Sequence, residues 1–232
     1  LVAWGLFGWS QWRHVWRLHR RDAIIAGVTL VATVGLRMEV AIMLGTLMSL
    51  FAFLYRTAKP AMRTMGFDQR GAERKFVVLD DHPSALPECP QLKLLRMEGE
   101  VYFGAINHVA ERLHSLRAEP GAAKHLLVMA KSMNFIDYAG AQLWSQEARE
   151  RRAMGGDLYF HRPRPEVLQM WARTGFVAEL GADHQFDDKR SAIATIVPRL
   201  DDATCAMCAA RVFEECAQRP GAGTSSAAEQ AA

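Results

Sequence analysis

From Ile24 to Tyr55 the chain is almost continuously apolar, and charge breaks the run only at Arg37 and Glu39. About 20 apolar residues suffice to cross the ~30 Å hydrocarbon layer of a bilayer. Ionisable groups at mid-depth cost several kcal/mol unless they reach water, a partner or a protein interior. The two charges therefore predict a turn at Gly35–Glu39 and a helical hairpin with arms 23–36 and 40–55. At 1.5 Å per residue each arm spans roughly 21–24 Å, which suits a thin or tilted pair, or one shielded by other membrane helices. Ala41, Gly45 and Ser49 recur every fourth residue and form a flat stripe for close helix approach. Arg13, Arg17, Arg20 and Arg21 precede the run, and Arg56, Lys59 and Arg63 follow it. By the positive-inside rule both ends face the cytoplasm.

Residues 56–75, with Pro60, Gly66 and Gly71, look like a basic linker, and a different pattern begins at Phe76. Phe76–Leu79, Leu92–Met97, Val101–Phe103, His125–Met129 and Leu158–Phe160 are apolar runs of strand length. Ile106, Val109, Ala110, Leu113 and Leu116 follow the three-four spacing of one buried helical face. Pro165 can open a helix carrying Val167, Leu168, Met170 and Trp171, which Gly175 closes. A last helix starts at about Asp188, carries Ala192, Ile193, Ile196 and Val197, and stops at Pro198. This alternation predicts an α/β domain over 76–200, with a mixed, mainly parallel sheet flanked by helices. The expected order is the end of a transmembrane helix and a basic connector (1–22), a membrane hairpin (23–55), a linker (56–75), the α/β domain (76–200) and a cysteine-containing helix with a disordered tail (201–232).

Composition conceals two regimes, since 50% of residues are hydrophobic and yet 23% are charged. The net charge of +3 is modest, and the basic residues cluster beside the apolar run. There they meet anionic lipid head groups rather than nucleic acid. The opening stretch, Leu1 to Trp9, has neither the charge order nor the small-residue cleavage site of a signal peptide. It is expected to be the tail of an earlier membrane helix, which makes the chain a C-terminal fragment.

The segment Ser132–Gly140 directly follows a strand and precedes a helix running to about Met154. Asp137 is placed to cap that helix, accepting hydrogen bonds from its first free amides and favoured by its dipole. The open end of a parallel sheet is where such domains bind ligands and partners. Asp137, Tyr138, Ala139 and Gly140 are therefore the candidate regulatory or partner-docking loop.

Glu98-Gly-Glu-Val-Tyr-Phe-Gly104 and Met133-Asn-Phe-Ile-Asp-Tyr-Ala-Gly140, each followed by a helix, resemble the STAS domain shared by anion transporters and bacterial anti-sigma-factor antagonists. Asp22–Leu30 and Glu39–Leu50 resemble the closing membrane helices of SulP (sulfate permease) transporters. The resemblance covers about residues 1–200. It implies a homodimeric secondary transporter of sulfate, bicarbonate, chloride or dicarboxylate type, set in the inner (plasma) membrane with its STAS domain in the cytoplasm. In that family the anion site lies between earlier discontinuous helices, so substrate-binding residues are expected outside this chain, and Glu39 takes a gating or packing role. Where the antagonists carry a phosphorylated serine before the loop glycine, this chain has Ala139. A docking surface for a cytoplasmic protein is thus expected rather than that phosphoswitch. The alternative is a membrane-anchored STAS module that binds a partner protein.

Cys205, Cys208 and Cys216 fall in the tail, and Cys89 lies far from them in sequence. On one straight helix Cys216 would sit roughly 16 Å along the axis from Cys205. That is too far for a single metal with bonds of about 2.3 Å. Cytosolic placement argues against a disulfide. Helix packing beside Val212 and Phe213 is the expected role, with a metal or redox role shared between subunits as the alternative. The chain offers no Ser-His-Asp order and no phosphate-cradling glycine loop. His108 and His114 lie on opposite faces of one helix, and Asp187-Asp188 suits a helix start. No catalytic residue and no cofactor are expected.

Overall fold

The computed structural model describes residues 16–17, 20–35, 38–68, 76–83 and 85–221. The opening apolar stretch, Arg13, Arg37, Gly71 and the tail from 222 lie outside the described residues. The chain divides into two compact units, Leu1–Arg56 and Thr57–Ala232.

In the first unit, α1 (Arg20–Gly35) and α2 (Met38–Thr57) correspond to the two arms. Thr29 and Thr33 donate to the carbonyls of Ile25 and Thr29, and Thr46 to that of Ile42, at 2.7–2.9 Å, so these hydroxyls are satisfied within their own helices. A Cβ on Gly45 would stand 2.9 Å from Thr29 Oγ1. Glycine is what lets the two helices approach there, as the small-residue stripe predicts. Ala41 is buried, while Val31, Val34, Met43, Phe51 and Phe53 are exposed apolar side chains. By length and composition α2 suffices to cross a membrane, with a mean hydropathy of 1.8, and the apolar stretch Ala23–Gly35 of α1 is shorter.

The second unit is a six-stranded sheet. Its strands are β1 (Ala61–Phe67), β2 (Phe76–Val78), β3 (Leu92–Val101), β4 (His125–Ile136), β5 (Leu158–His161) and β6 (Gln185–Phe186), in the order β2-β1-β3-β4-β5-β6. β3 to β6 run parallel, whereas β1 pairs antiparallel with both β2 and β3. The expected mixed, mainly parallel sheet is present. Three boundaries differ. Residues 61–67 are a strand rather than linker, with Thr64 to Phe67 buried, and the interruption by Arg63, Thr64 and Gly66 hides the pattern. Leu92–Met97 and Val101 belong to one strand, whose pairing with β4 shifts register on either side of Glu98 and Gly99. β4 continues to Ile136, so Ser132–Ile136 is strand and only Asp137 remains between it and the next helix.

The parallel strands step across the sheet in one direction. Crossovers of one hand then deliver every connecting helix to the same face. That face carries α3 (Ile106–Ala118), α4 (Tyr138–Ala153), α5 (Pro165–Thr174) and α6 (Phe176–Leu180). Their Val109, Leu113, Trp144, Trp171 and Phe176 pack with Leu95, Val128 and Phe160. Phe160 meets Trp144 edge-on at 5.3 Å and Trp171 at 4.5 Å between centroids. The opposite face is closed by α7 (Lys189–Ile196), α8 (Asp202–Met207) and the segment after them. Ile193, Ile196, Val212 and Phe213 cover Leu94, Leu127, Met129 and Tyr159. Residues beyond 200 therefore belong to the domain core. Asp188 caps α7 by accepting from Ser191 N–H at 2.9 Å, as expected for a helix start.

Two polar networks tie the layers. Glu147, on α4 and almost fully buried, accepts from Arg151 Nε at 2.7 Å and pairs with Arg117 of α3. Arg151 is fully buried and also donates to the Ala123 carbonyl at 2.6 Å. At the amino end of β5, His184 lies between Asp157 and Asp183, at 2.8 Å from each, and stacks on Tyr159 at 4.7 Å. Arg199 closes the network on Asp183 at 2.6 Å. Burial alone lowers the His184 pKa, but its hydrogen bonds and charge pairing with the two aspartates outweigh this and raise it above 6.5. Arg199 and His184 hold Asp183 at about 2. Burial opposes ionisation of Asp157, yet His184 and the Leu158 N–H pull its pKa below the usual value.

Replacing Glu147 with Ala leaves the Arg151 charge buried without its carboxylate and should cost about 3–5 kcal/mol. Glu150→Ala removes a more exposed partner of Arg117 and should cost under about 1 kcal/mol. Denaturant unfolding followed by tryptophan emission separates the two. For the histidine, the raised folded pKa means a contribution fully present below the unfolded value of 6.5 and lost as pH rises through the folded one. The depressed aspartates contribute above 3.8 and fade as pH falls. The stability gap between the natural chain and His184→Gln should thus be widest at roughly pH 4–6.5 and shrink at higher pH. A gap that stays constant from acid to alkaline pH would refute this.

Candidate functional site

The candidate loop sits at the carboxyl ends of β3 and β4. Asp137 is extended backbone between strand and helix, and its two carboxylate oxygens have different tasks. Oδ1 accepts from Gly140 N–H at 2.8 Å and caps α4, while Oδ2 accepts from Phe103 N–H at 2.8 Å in the turn after β3. Its own N–H donates to the Val101 carbonyl at 3.2 Å. One side chain thus pins two sheet-end turns to each other. Gly140 is buried so tightly that a Cβ there would lie 2.4 Å from the Val101 carbonyl oxygen and 2.7 Å from Ile136 Cγ1. Glycine is required by space, which the sequence motif alone does not explain.

Tyr138 is 64% exposed and Ala139 half-buried. Beside them Phe103 is 81% exposed and Phe135 48% exposed, although both are large apolar side chains. Aromatic side chains displayed by a pinned scaffold are what interface cores favour. Sequence reasoning named Asp137 to Gly140 but passed over Phe103 and Phe135. Neither position carries a local signal that sets it apart, and the exposure of both side chains shows only in the folded structure.

The cysteines contradict the single-helix expectation. α8 ends at Met207, Arg211 takes a positive φ of 36°, and the chain turns back into a 3-10 turn at Glu214–Gln218. Cys89, Cys205, Cys208 and Cys216 consequently line one cavity of about 20 Å³, together with Gln91, Arg211 and Arg219. Gln91 holds the returning segment by accepting from Asp201 N–H at 2.8 Å and donating to the Asp201 carbonyl at 3.0 Å and to Cys205 Sγ at 3.3 Å. All four thiols are free. Burial pushes the Cys89 thiol up to about 11 and also raises that of Cys216.

Comparison with known proteins agrees with this geometry. Residues 84–192 match the STAS domain family. The chain is 21% identical over 203 residues to "Probable sulfate transporter 4.2" of Arabidopsis thaliana, a match covering 83% of this chain and 30% of that protein. It is 18% identical over 194 residues to "High affinity sulfate transporter 2" of Stylosanthes hamata, covering 80% and 29%. The solved structures of murine Slc26a9 in the inward-facing state and of SLC26A9 superpose with TM-scores of 0.67 and 0.68, at 14% and 12% identity, over 80% and 83% of this chain. These two share its fold. The class is therefore that of chains built on a STAS domain. Within it, this chain is similar in sequence to proteins named sulfate transporters and in fold to the SLC26A9 structures. It spans about 30% of the length of the curated relatives it matches.

Asp137→Ala removes a helix cap and orphans the Phe103 amide, and should lower stability by about 1–2 kcal/mol. Gly140→Ala forces a methyl against backbone and should cost about 1–3 kcal/mol. Phe103→Ser changes only an exposed side chain and should stay within about 0.5 kcal/mol. Thermal melting of the three variants tests the division between scaffold and surface. A destabilising Phe103→Ser beside a silent Asp137→Ala would reverse it.

Proposed function

We propose that this chain forms part of a secondary transporter of inorganic or small organic anions, of the sulfate, bicarbonate, chloride or dicarboxylate class. In this reading α1 and α2 are a membrane-embedded hairpin of a homodimeric plasma-membrane protein, and the sheet-bearing unit is its cytoplasmic regulatory or assembly domain. The observation that carries it is the extent of the match to proteins named sulfate transporters. It covers 83% of the chain, more than the unit Thr57–Ala232 can supply alone, so it runs into the apolar helices as well. The apolar, exposed surface of α2 supports membrane burial, because a helix face so apolar is stable only against lipid or other apolar helices. Arg20 before the hairpin and Arg56 and Lys59 after it agree with cytoplasmic ends and with contacts to anionic lipid. Anion binding belongs to helices beyond these two, since half-helix amino ends near the membrane midplane supply such sites. The aromatic group Phe103, Phe135 and Tyr138 is the docking face of the STAS unit, where a cytoplasmic protein or a neighbouring part of the transporter seats. Regulation by docking needs neither a catalytic residue nor a cofactor.

The complete gene product that contains this chain, purified into proteoliposomes, should take up at least one of labelled sulfate, bicarbonate, chloride or a dicarboxylate with saturable kinetics. Folded protein that moves none of them would overturn the transport reading. Phe103→Ser with Tyr138→Ser should leave melting unchanged and alter uptake or dimer assembly several-fold.

A further inference from the structure

We propose that Cys89, Cys205, Cys208 and Cys216 form a thiolate site for one soft, tetrahedrally coordinating divalent cation of the zinc class. Four cysteines are the whole complement of the chain. Three separate stretches bring all of them to one cavity, which at about 20 Å³ has room for a single water-sized body. Cys205-Ala-Met-Cys208 has the two-residue spacing of a chelating pair. Cys89 is supplied by the approach to β3, and Cys216 by the chain reversal at Arg211. Among the described residues no three metal-ligating groups already stand in coordinating geometry. The site is thus not a finished cage, and binding requires the thiols to move together.

The surroundings suit a cluster of thiolates. Four of them on a divalent ion leave two negative charges, and Arg211 and Arg219 line the same cavity. Arg219 Nε is buried without a hydrogen-bond partner, and the Gln91 amide already donates to Cys205 Sγ. Such outer donors orient ligands and balance charge in metal-thiolate sites. The chemistry also separates a metal role from a redox one. A soft cation is bound by thiolates, each coordinated thiol releasing one proton to solvent with no change in oxidation state. Binding would tie residues 201–221 to the start of β3, and so close the face opposite α3–α6 with a second fastening beside Gln91. The inference does not depend on transport.

The test is a cobalt titration of the full chain in detergent, kept anaerobic with a phosphine reductant. One Co²⁺ per chain should bring up the thiolate-to-metal charge-transfer band, one equivalent of Zn²⁺ should bleach it, and the melting temperature should rise with bound ion. Cys208→Ser removes the one cysteine outside the packed core, and should weaken binding at least tenfold with unchanged circular dichroism. Four titratable thiols without a charge-transfer band would overturn the proposal, as would an undiminished band in the Cys208→Ser/Cys216→Ser double variant. Should that double variant fail to fold, the stoichiometry of the natural chain decides alone.

Discussion

A parallel strand in the middle of a sheet must be covered on both faces, and this requirement organises the sheet-bearing unit. In β4 the run from His125 to Ala130 is buried at every residue, with Leu126, Val128 and Ala130 facing one layer and Leu127 and Met129 the other. Such a run has no solvent face to spare. The crossovers supply one cover, because strands that step in a single direction with crossovers of one hand send α3 to α6 to the same side. The second cover has to come from the end of the domain. α7 and the segment to Gly221 provide it, which explains why residues beyond 200 are core rather than tail. The cysteine cavity is a consequence of that closure.

What the sequence disclosed follows from the range of the physics involved. Periodic helices such as 106–118 and 165–174 were legible because one buried face repeats locally, and the proline and glycine at the ends of the latter act over one turn. The strand at 61–67 was not, since Arg63, Thr64 and Gly66 interrupt its pattern and its hydrogen bonds are made to residues some thirty positions on. The cysteine convergence was hidden for a related reason. It depends on a break at Met207 and a left-handed residue at Arg211, and arginine carries no local signal for positive φ. The His184 network joins residues 157, 183, 184 and 199, whose proximity only the sheet order creates.

Asp137 was found by its position before a helix, yet its second bond is what gives it wider meaning. A capping carboxylate usually spends itself on one helix. Here the other oxygen holds the turn after β3, so the ends of two parallel strands form a single rigid rim. Gly140 lets α4 come close enough for that geometry. The exposed aromatics are attached to this rim rather than to free loops, which would reduce the entropy cost of the docking proposed above.

The two faces of the domain therefore divide labour. The helix-covered face is fixed by the crossovers and by the buried Arg151–Glu147 pair, both made within contiguous βαβ units. The other face is closed by a segment whose main polar attachments are Gln91 to Asp201 and Cys205, and Arg219 to the carbonyls of Pro198 and Leu200. Few and terminal contacts open at lower free energy than a core does. The stability of this cover is thus the property most open to adjustment by an added ligand. The proposed thiolate site lies beneath this cover, so an ion bound there would add its binding free energy to the closure of the layer.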